Sequence, residues 1–378
     1  MIEFKVLKES KKSKARLGAL KTKHGGVETP CLVPVATQGV VKTLTNKEVK
    51  EAKTQILIAN TFHLHLRPTE EIIKKSGGIH KFMNCNMPIM TDSGGFQVFS
   101  FGFGRDFGVG KKLKGKSLNQ IKEKSQPKSL KITDEGVYFK SLIDGRKLFL
   151  GPKESIKIQE SLGADIIFAF DECTPPLATK EYIASSLKKT HRWAEICLKE
   201  KKSRQAIFGI IQGSKFKDLR QKSAKFIASL GFDGWAVGGD LGESKKTTAS
   251  ILNWTLPFLD KTKPRHLLGI GKLDDIENII KCGVDFFDCT VPTHYGRRGI
   301  AYTESGVLNL NQSKFLKDKN PLDKKCSCWV CGEYRRNYIS HLIKAKEITG
   351  LRLVSFHNLY FFNSFIEKIR EKIRNGKL

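Results

Sequence analysis

Residues 284–289, Val284-Asp285-Phe286-Phe287-Asp288-Cys289, form a short apolar run with one carboxylate inside it and a second near its end. A buried strand accommodates this pattern if Asp288 lies at its carboxyl end, where parallel barrels and doubly wound sheets place their chemistry. Asp288 is therefore a candidate nucleophile, although an aspartate at a strand end can also cap the next turn. The loop that follows, residues 290–299, contains Pro, Gly and basic residues that could bring a phosphate close to this carboxylate.

The same local pattern, a helix stopped by glycine and followed by a buried strand, occurs at residues 161–170, 229–237 and 281–289. Further apolar runs at residues 31–36, 55–59, 88–91, 206–211 and 265–270 raise the number to eight. Polar helical patterns, such as those at residues 152–162, 181–199 and 217–230, separate most of them. Eight βα units predict an α/β fold, a (βα)8 TIM barrel. A doubly wound sheet is the alternative, but no glycine-rich phosphate loop follows the first strand.

Polar residues collect where these runs end. They are Thr91-Asp92-Ser93-Gly94-Gly95-Phe96-Gln97, Asp171-Glu172-Cys173, Gln212-Gly213-Ser214, Gly238-Gly239-Asp240 and Asp288. In a barrel all of them would converge on one mouth. Each has a structural explanation, such as a helix cap or a buried hydrogen bond, but five polar strand ends on one face favour an active site.

Two segments depart from the βα pattern. Residues 102–150 predict an insertion on the active face, with a lysine-rich loop at 111–128 and an antiparallel hairpin set at 132–149. Residues 1–30 predict a strand-rich N-terminal flap.

The composition indicates a globular protein with a polyanionic partner. The 378 residues are 39% hydrophobic, and 67 Lys and Arg against 38 Asp and Glu give a formal net charge of +29. Nucleic acid is the favoured partner and an anionic membrane is the rival. Because lysine is spread evenly along the chain, compositional bias could account for part of the charge. No apolar run is long enough to span a bilayer and residues 1–18 lack the apolar core of a signal peptide, so a cytoplasmic protein without a membrane partner is predicted.

Three of the nine cysteines lie within six residues, as Cys326, Cys328 and Cys331, whereas the others are scattered in the manner of reduced, buried thiols. Three soft ligands at this spacing predict a tetrahedral zinc site that needs one more donor. His357 is the better fourth ligand, because it follows a helical stretch that could fold the chain back, whereas His341 would sit in mid-helix. Four protein ligands leave no open position, so one structural Zn2+ per chain is expected.

Taken together, these residues resemble the bacterial tRNA-guanine transglycosylase family. The resemblance rests on Asp92-Ser93-Gly94-Gly95-Phe96-Gln97, Phe170-Asp171-Glu172-Cys173, Ile211-Gln212-Gly213, Gly238-Gly239, Phe287-Asp288-Cys289 and the cysteine–histidine set, in the same order over nearly the whole chain. It implies a single domain, residues 1–378, with a barrel core at about 30–310 and a zinc-binding subdomain at about 311–360. It also implies exchange of guanine at the wobble position for a 7-deazaguanine base.

Carried over residue by residue, the resemblance makes Asp288 the nucleophile on the wobble ribose and Asp92 the general acid/base that accepts a proton from the incoming base. The residues implied to bind the base are Asp92, Ser93, Gly94, Gly95, Phe96, Asp171, Gln212 and Gly239. Those implied to bind RNA are Gly269, Ile270, Gly271, Lys272, Leu273, Asp274, Asp275, Thr293, His294, Tyr295, Gly296 and Arg297. Independently, a carboxylate can trap the oxocarbenium-like state of N-glycosidic cleavage covalently.

The sequence departs from the family at two places. His294 stands where the family usually has arginine, and Arg297 and Arg298 could compensate. The loop after Gly239 is one residue shorter, so that Asp240 either pairs with a cationic amine or serves as a turn residue. The resemblance implies a homodimer, tRNA with a GUN anticodon and preQ1 as the incoming base, with queuine as the alternative. A sugar-specific glycoside hydrolase and a non-catalytic tRNA-binding paralogue are the rival functions, but the first would not need the +29 charge or a zinc site, and the second would not need both carboxylates.

Overall fold

The computed structural model describes residues 2–100, 129–141, 143–242 and 244–378. Eight parallel strands close into a barrel in chain order, each hydrogen-bonded to the next and the last to the first. They are β4 (Cys31–Ala36), β5 (Leu57–Ala59), β6 (Ile89–Thr91), β10 (Ile166–Phe168), β11 (Ala206–Ile211), β12 (Gly234–Val237), β13 (Arg265–Leu267) and β14 (Phe286–Cys289). The (βα)8 barrel is confirmed, and the doubly wound alternative is wrong.

Helices cover the outside of the barrel. They are α1 (Asn46–Glu51), α2 (Thr61–Leu66), α3 (Glu70–Lys75), α4 (Ile79–Met83), α5 (Pro152–Leu162), α6 (Lys180–Glu200), α7 (Lys217–Ser229), α8 (Lys245–Thr255), α9 (Leu273–Lys281), α10 (Val291–Gly296), α11 (Trp329–Glu333), α12 (Arg336–Lys344) and α13 (Ile348–Arg374). Residues 95–100 are also helical, and 3-10 turns occur at Leu256–Phe258 and Ser313–Lys317. No helix in these ranges is long and apolar enough to cross a membrane.

The barrel interior is filled by side chains from its strands, including Phe168, Phe208 and Phe286, while a larger apolar cluster lies between strands and helices. Local signals set the helix ends as expected. Helix α5 begins with proline at its first turn and ends at Gly163, whose φ of +74° is left-handed. The strands are shorter than predicted at several ends, since residues 169–170 and 268–270 leave the ladder at the mouth.

The aspartates that precede three strands share one structural role at the opposite end of the barrel. Asp165, Asp233 and Asp285 each accept a hydrogen bond from a backbone N–H in a neighbouring strand, at 2.8–3.0 Å. Asp285 is fully buried and also pairs with Arg16 at 2.6 Å. Of the two carboxylates in residues 284–289, Asp285 therefore joins strands and Asp288 is left for chemistry.

Smaller elements surround the barrel. Strands β1 (Glu3–Glu9), β2 (Arg16–Thr22) and β3 (Gly25–Thr29) form an antiparallel sheet, which confirms the N-terminal flap. Strands β7 (Leu130–Ile132), β8 (Val137–Lys140) and β9 (Lys147–Leu150) confirm the hairpin set, while the predicted lysine-rich loop at 111–128 lies outside the described residues. Strands β15 (Ile300–Thr303) and β16 (Gly306–Asn309) lead into the C-terminal helices.

Candidate active site

The two predicted catalytic carboxylates lie at the same mouth of the barrel. Asp92 directly follows β6, and Asp288 is the third residue of β14. The two carboxylates also interact electrostatically, because the charge of Asp288 contributes to raising the pKa of Asp92. The carboxyl ends of parallel strands thus bring together two side chains that are almost 200 positions apart in sequence.

Asp92 is held by donors from the start of α2 and from the turn that follows β6. Its carboxylate accepts hydrogen bonds from Asn60 Nδ2 at 2.5 Å, from the Thr61 N–H at 2.9 Å and from the Gly94 N–H at 3.2 Å. Burial raises the pKa of Asp92 to about 7, against an ordinary value of 3.8, and Asp288 adds to the rise although these donors oppose it. At neutral pH the group therefore exchanges protons readily, as a general acid/base must.

Asp288 is held from behind by a residue that the sequence did not single out. His266 on β13 has a fully buried side chain, and its Nε2 lies 2.9 Å from Asp288 Oδ1. The Gly269 N–H donates to the same oxygen at 3.1 Å. The available signal was a lone histidine inside the apolar run 265–270, which by itself is as consistent with packing as with function.

Three predicted base-binding residues form one hydrogen-bonded group beside the carboxylates. Gln212 Nε2 donates to Asp171 at 2.6 Å, and Ser93 Oγ donates to the other oxygen of Asp171 at 3.2 Å. Burial raises the pKa of Asp171 to about 6, and neighbouring Glu172 adds to the rise. Gln212 Oε1 is buried and has no hydrogen-bond partner among the described residues, so an acceptor remains available to a ligand.

Glycines allow the chain to approach closely around this group. A Cβ on Gly95 would lie 2.7 Å from the Asp171 carbonyl, and one on Gly239 would lie 2.1 Å from Gln212 Oε1. Gly94 and Gly239 have left-handed φ of +78° and +77°. Phe96, the remaining predicted residue of this set, is 39% exposed at the mouth.

A buried arginine, also absent from the sequence-based site, organises the turn after β12. The Arg220 guanidinium donates to four backbone carbonyls, those of Ser214, Ile211, Gly238 and Asp240, at 2.7–3.0 Å. Burial lowers its pKa to about 10, still far above neutrality. The turn that carries Gly239 is thus tied to the end of β11 by one fixed cation.

The Asp240 carboxylate is engaged within its own loop. One oxygen accepts from the Gly242 N–H at 2.9 Å and the other from Ser214 Oγ at 3.1 Å. These bonds favour the turn role over pairing with a ligand amine, while Glu243 lies outside the described residues.

The segments predicted to bind RNA border the same mouth. Residues 269–275 run from the loop over Asp288 into α9, and residues 293–297 belong to α10 and its end. Lys272 and Asp274 are exposed, His294, Tyr295 and Arg297 are half-buried, and Thr293 and Gly296 are buried. Burial lowers the pKa of His294, and so do nearby Arg298, Arg297 and Lys42, of which Lys42 was not predicted from sequence.

Cys326, Cys328, Cys331 and His357 come together as predicted, with their ligand atoms all within 4.8 Å of one another. The thiols of Cys328 and Cys331 lie 3.5 and 3.3 Å from His357 Nδ1. Zinc–sulfur and zinc–nitrogen bonds of about 2.3 and 2.0 Å at a tetrahedral angle give a separation of about 3.5 Å, so the group fits a zinc site. His357 Nε2–H donates to the Tyr302 carbonyl at 2.8 Å, which aims Nδ1 at the thiols.

His357 is the fourth member of this group, but its position relative to the helices is not what distinguishes it from His341. His341 does lie in α12, but His357 lies in the middle of α13, so a mid-helix position does not exclude a ligand. The chain reverses between the two helices near Lys346, whose φ is +61°. That reversal, together with the length of α13, brings His357 to the cysteines.

Two carboxylates at the mouth of a (βα)8 barrel, a buried hydrogen-bonded polar group beside them and a separate Cys3His group are the arrangement expected of a glycosyl-transferring enzyme. The chain belongs to the queuine tRNA-ribosyltransferase family, whose model matches residues 10–378. Members of this family are tRNA-guanine transglycosylases, a class of pentosyltransferase, and the chain is an enzyme of this class. The family predicted from the ordered motifs is confirmed.

Curated relatives match over almost their whole length. A putative queuine tRNA-ribosyltransferase of Archaeoglobus fulgidus is 46% identical over 96% of this chain and 94% of its own. Queuine tRNA-ribosyltransferases of Halothermothrix orenii and Desulforamulus reducens are 45% and 44% identical, over all of this chain and over 95% and 96% of theirs.

Proposed function

We propose that the enzyme exchanges guanine at wobble position 34 of tRNAs with a GUN anticodon, those for Asp, Asn, His and Tyr, for preQ1 through a covalent enzyme–tRNA intermediate. The observation that carries the proposal is the pair of carboxylates at one barrel mouth, with Asp288 held by His266 and Asp92 poised near neutral pH. The same pair beside the buried group of Ser93, Asp171 and Gln212 favours base exchange over hydrolysis of a sugar polymer.

In the first displacement the Asp288 carboxylate attacks C1′ of ribose 34. The C1′–N9 bond breaks, its electron pair leaves with guanine, and Asp92 in its protonated form supplies the proton that guanine takes up. A pKa of about 7 leaves a substantial protonated fraction for this step. The product is an ester between Asp288 and the ribose.

In the second displacement the incoming base gives a proton to Asp92, now ionised, and its N9 attacks C1′. The ester bond breaks and Asp288 recovers its electron pair and negative charge. Two inversions at one carbon restore the original configuration. One carboxylate thus serves both half-reactions as acid and base.

Base recognition is assigned to Asp171, Gln212 and the backbone at Gly239, with residues 93–96 closing the pocket. The unpartnered Gln212 Oε1 supports this assignment, because a buried acceptor without a donor costs free energy until a ligand N–H arrives. Asp171, which is buried and held by Ser93 and Gln212, is a second acceptor for base N–H groups.

The tRNA backbone is assigned to residues 269–275 and 293–297. The mutual proximity of Lys42, His294, Arg297 and Arg298 supports an anion-binding surface next to the nucleophile. The net charge of +29 agrees with a polyanionic substrate. Arg297, Arg298 and Lys42 would supply the charge that an arginine at position 294 gives in the family.

A competition assay between preQ1 and queuine tests which 7-deazaguanine base the enzyme incorporates. We assign preQ1, and the turn role of Asp240 gives no reason to change that assignment. With labelled guanine already in the tRNA, preQ1 and queuine compete for its displacement. A kcat/KM for queuine at least about tenfold higher, equivalent to about 1.4 kcal/mol, would reverse the assignment.

The Cys3His group is proposed to hold one structural zinc. Four protein donors would fill a tetrahedral coordination sphere and leave no position for a substrate, so the metal would stabilise the fold around α11 and α13. We further propose that the enzyme works as a cytoplasmic homodimer, which light scattering during size-exclusion chromatography of the purified chain tests.

The decisive test incubates the protein with a GUN-anticodon transcript and labelled guanine. Incorporation at position 34 is expected, and Asp288→Ala is expected to abolish it while tRNA affinity stays within about twofold, since phosphate contacts supply most of the binding. Asp260→Ala, on an exposed turn away from the mouth, is the matched control. Binding without incorporation would favour a non-catalytic tRNA-binding role, and a covalent adduct formed by Asp288→Ala would remove Asp288 as nucleophile.

A further inference from the structure

His266 lies directly beneath the nucleophile, inside the barrel. Its ring packs edge-on against Phe168 with centroids 5.4 Å apart and lies nearly parallel to Phe286 at 6.5 Å. The side chain is 0% exposed. The only polar atoms that this ring offers are its two nitrogens, so their partners decide its chemical state.

The two nitrogens are in different surroundings. Nε2 is 2.9 Å from Asp288 Oδ1, whereas Nδ1 is buried with no hydrogen-bond partner in the described part of the chain. A proton on Nδ1 would bury a donor without an acceptor in an apolar layer, which is unfavourable. The single proton of a neutral ring therefore belongs on Nε2, from which it is donated to Asp288.

The two oxygens of Asp288 differ as well. Oδ1 accepts both the His266 Nε2–H and the Gly269 N–H, while Oδ2 accepts no hydrogen bond from the residues described. A carboxylate with two donors on one oxygen cannot rotate freely about its Cβ–Cγ bond without losing them. The other oxygen keeps its lone pairs for the substrate.

From this geometry we infer that His266 is a positioning residue for the proposed transglycosylation: as a neutral Nε2–H donor it fixes Asp288 so that Oδ2 is the oxygen that attacks C1′. The inference rests on the proposed function for its kinetic consequence. His266 acts through Asp288 and contacts no substrate atom. Its unpartnered Nδ1 is the structural mark of the tautomer that the role requires.

The kinetic test compares His266→Phe with His266→Gln. Phenylalanine retains the ring between Phe168 and Phe286 and removes the donor, while glutamine places an amide N–H at nearly the same reach. We expect His266→Phe to lower kcat for guanine exchange about 10- to 100-fold, with KM for tRNA changed by less than about twofold, because the variant loses one hydrogen bond to the charged nucleophile and no contact with tRNA. His266→Gln should recover activity to within about fivefold of the unaltered enzyme.

Either of two kinetic results overturns the inference: a His266→Phe enzyme as active as the unaltered one, or a His266→Gln enzyme as impaired as His266→Phe, which would indicate packing alone. Circular dichroism and thermal unfolding check that both variants fold. The unaltered protein labelled with 15N-histidine provides a test that needs no variant activity. Its His266 signals should show a protonated Nε2 and an unprotonated Nδ1, and the opposite tautomer would refute the assignment.

These experiments distinguish a failure of the proposed exchange activity from a failure of the role assigned to His266. If the unaltered enzyme exchanges no guanine, the proposed function fails, while the tautomer measurement still reports on the His266–Asp288 bond. If the enzyme is active and His266→Phe leaves kcat unchanged, the proposed function stands and only the role of His266 is removed.

Discussion

The free energy of unfolding of the protein is expected to fall as pH rises, and replacing Asp92 by asparagine is expected to abolish this fall. Burial, with Asp288 adding to it, raises the pKa of Asp92 from 3.8 to about 7 in the folded state. Between these values the folded protein binds a proton that the unfolded chain has lost, so the free energy of unfolding falls as pH increases through this window and levels off above pH 7. At about 1.4 kcal/mol for each pKa unit, the full effect is about 4 kcal/mol, an upper limit for one part-buried group.

The measurement is urea-induced unfolding of the unaltered protein and of Asp92→Asn at several pH values from 5 to 8.5. About 3 kcal/mol of the effect falls in this range, so the free energy of unfolding of the unaltered protein should fall by about that amount relative to the variant. Asparagine also alters the hydrogen bond from Asn60, but that difference does not vary with pH. Comparison at each pH likewise cancels any shared effect of the cysteine–histidine site.

Asp260→Asn is the control for this series. Hydrogen bonds from Thr262 lower the pKa of the Asp260 carboxyl, so the stability it contributes is present above pH 4 and is lost only in acid. Its unfolding free energies should run parallel to those of the unaltered protein from pH 5 to 8.5. Parallel curves for Asp92→Asn as well would refute the raised pKa, and with it the reason for assigning Asp92 both proton transfers.

Other perturbations test the remaining parts of the site. Gly239→Ala should raise KM for the incoming base at least about tenfold with little change in KM for tRNA, because the added Cβ would lie 2.1 Å from Gln212 Oε1 at a left-handed φ of +77°. Steady-state exchange kinetics measure both constants, and an unchanged KM for the base would mean that the base binds elsewhere. Arg220→Met should lower the free energy of urea unfolding by at least about 3 kcal/mol, since three buried carbonyls and one part-buried carbonyl lose their donor, and a change below about 1 kcal/mol would contradict that account. Cys328→Ser should lower bound zinc from about one per chain in metal analysis and increase proteolysis of the C-terminal region, and full retention of metal would argue against the four-ligand site. Salt should weaken tRNA binding steeply, and Arg297→Ala should reduce the slope of log K against log salt by about one if this residue contacts phosphate.

Much of the architecture followed from local signals. Apolar runs of four to six residues, separated by helical patterns and in three cases preceded by a glycine-stopped helix, are enough to predict βα units, and eight runs in order predict a closed barrel. Asp92 and Asp288 could be proposed because each stands at the end of a buried run, and three cysteines within six residues predict a metal site without any knowledge of the fold. These features depend on residues that are neighbours in sequence, so the sequence alone carries them.

Other features depend on barrel closure and were not visible in the sequence. Whether the lone histidine of run 265–270 faces the nucleophile is decided by the register of β13 against β14, in which His266 pairs with Phe286. In the sequence Arg220 is indistinguishable from an ordinary polar residue of an amphipathic helix. In the fold, the turns after β11 and β12 place four backbone carbonyls around its guanidinium. His357 looked suitable for a reason that does not hold, because its approach to the cysteines depends on the reversal before α13. In each case the deciding contact joins segments that only tertiary packing brings together, and local propensity carries no information about such a contact.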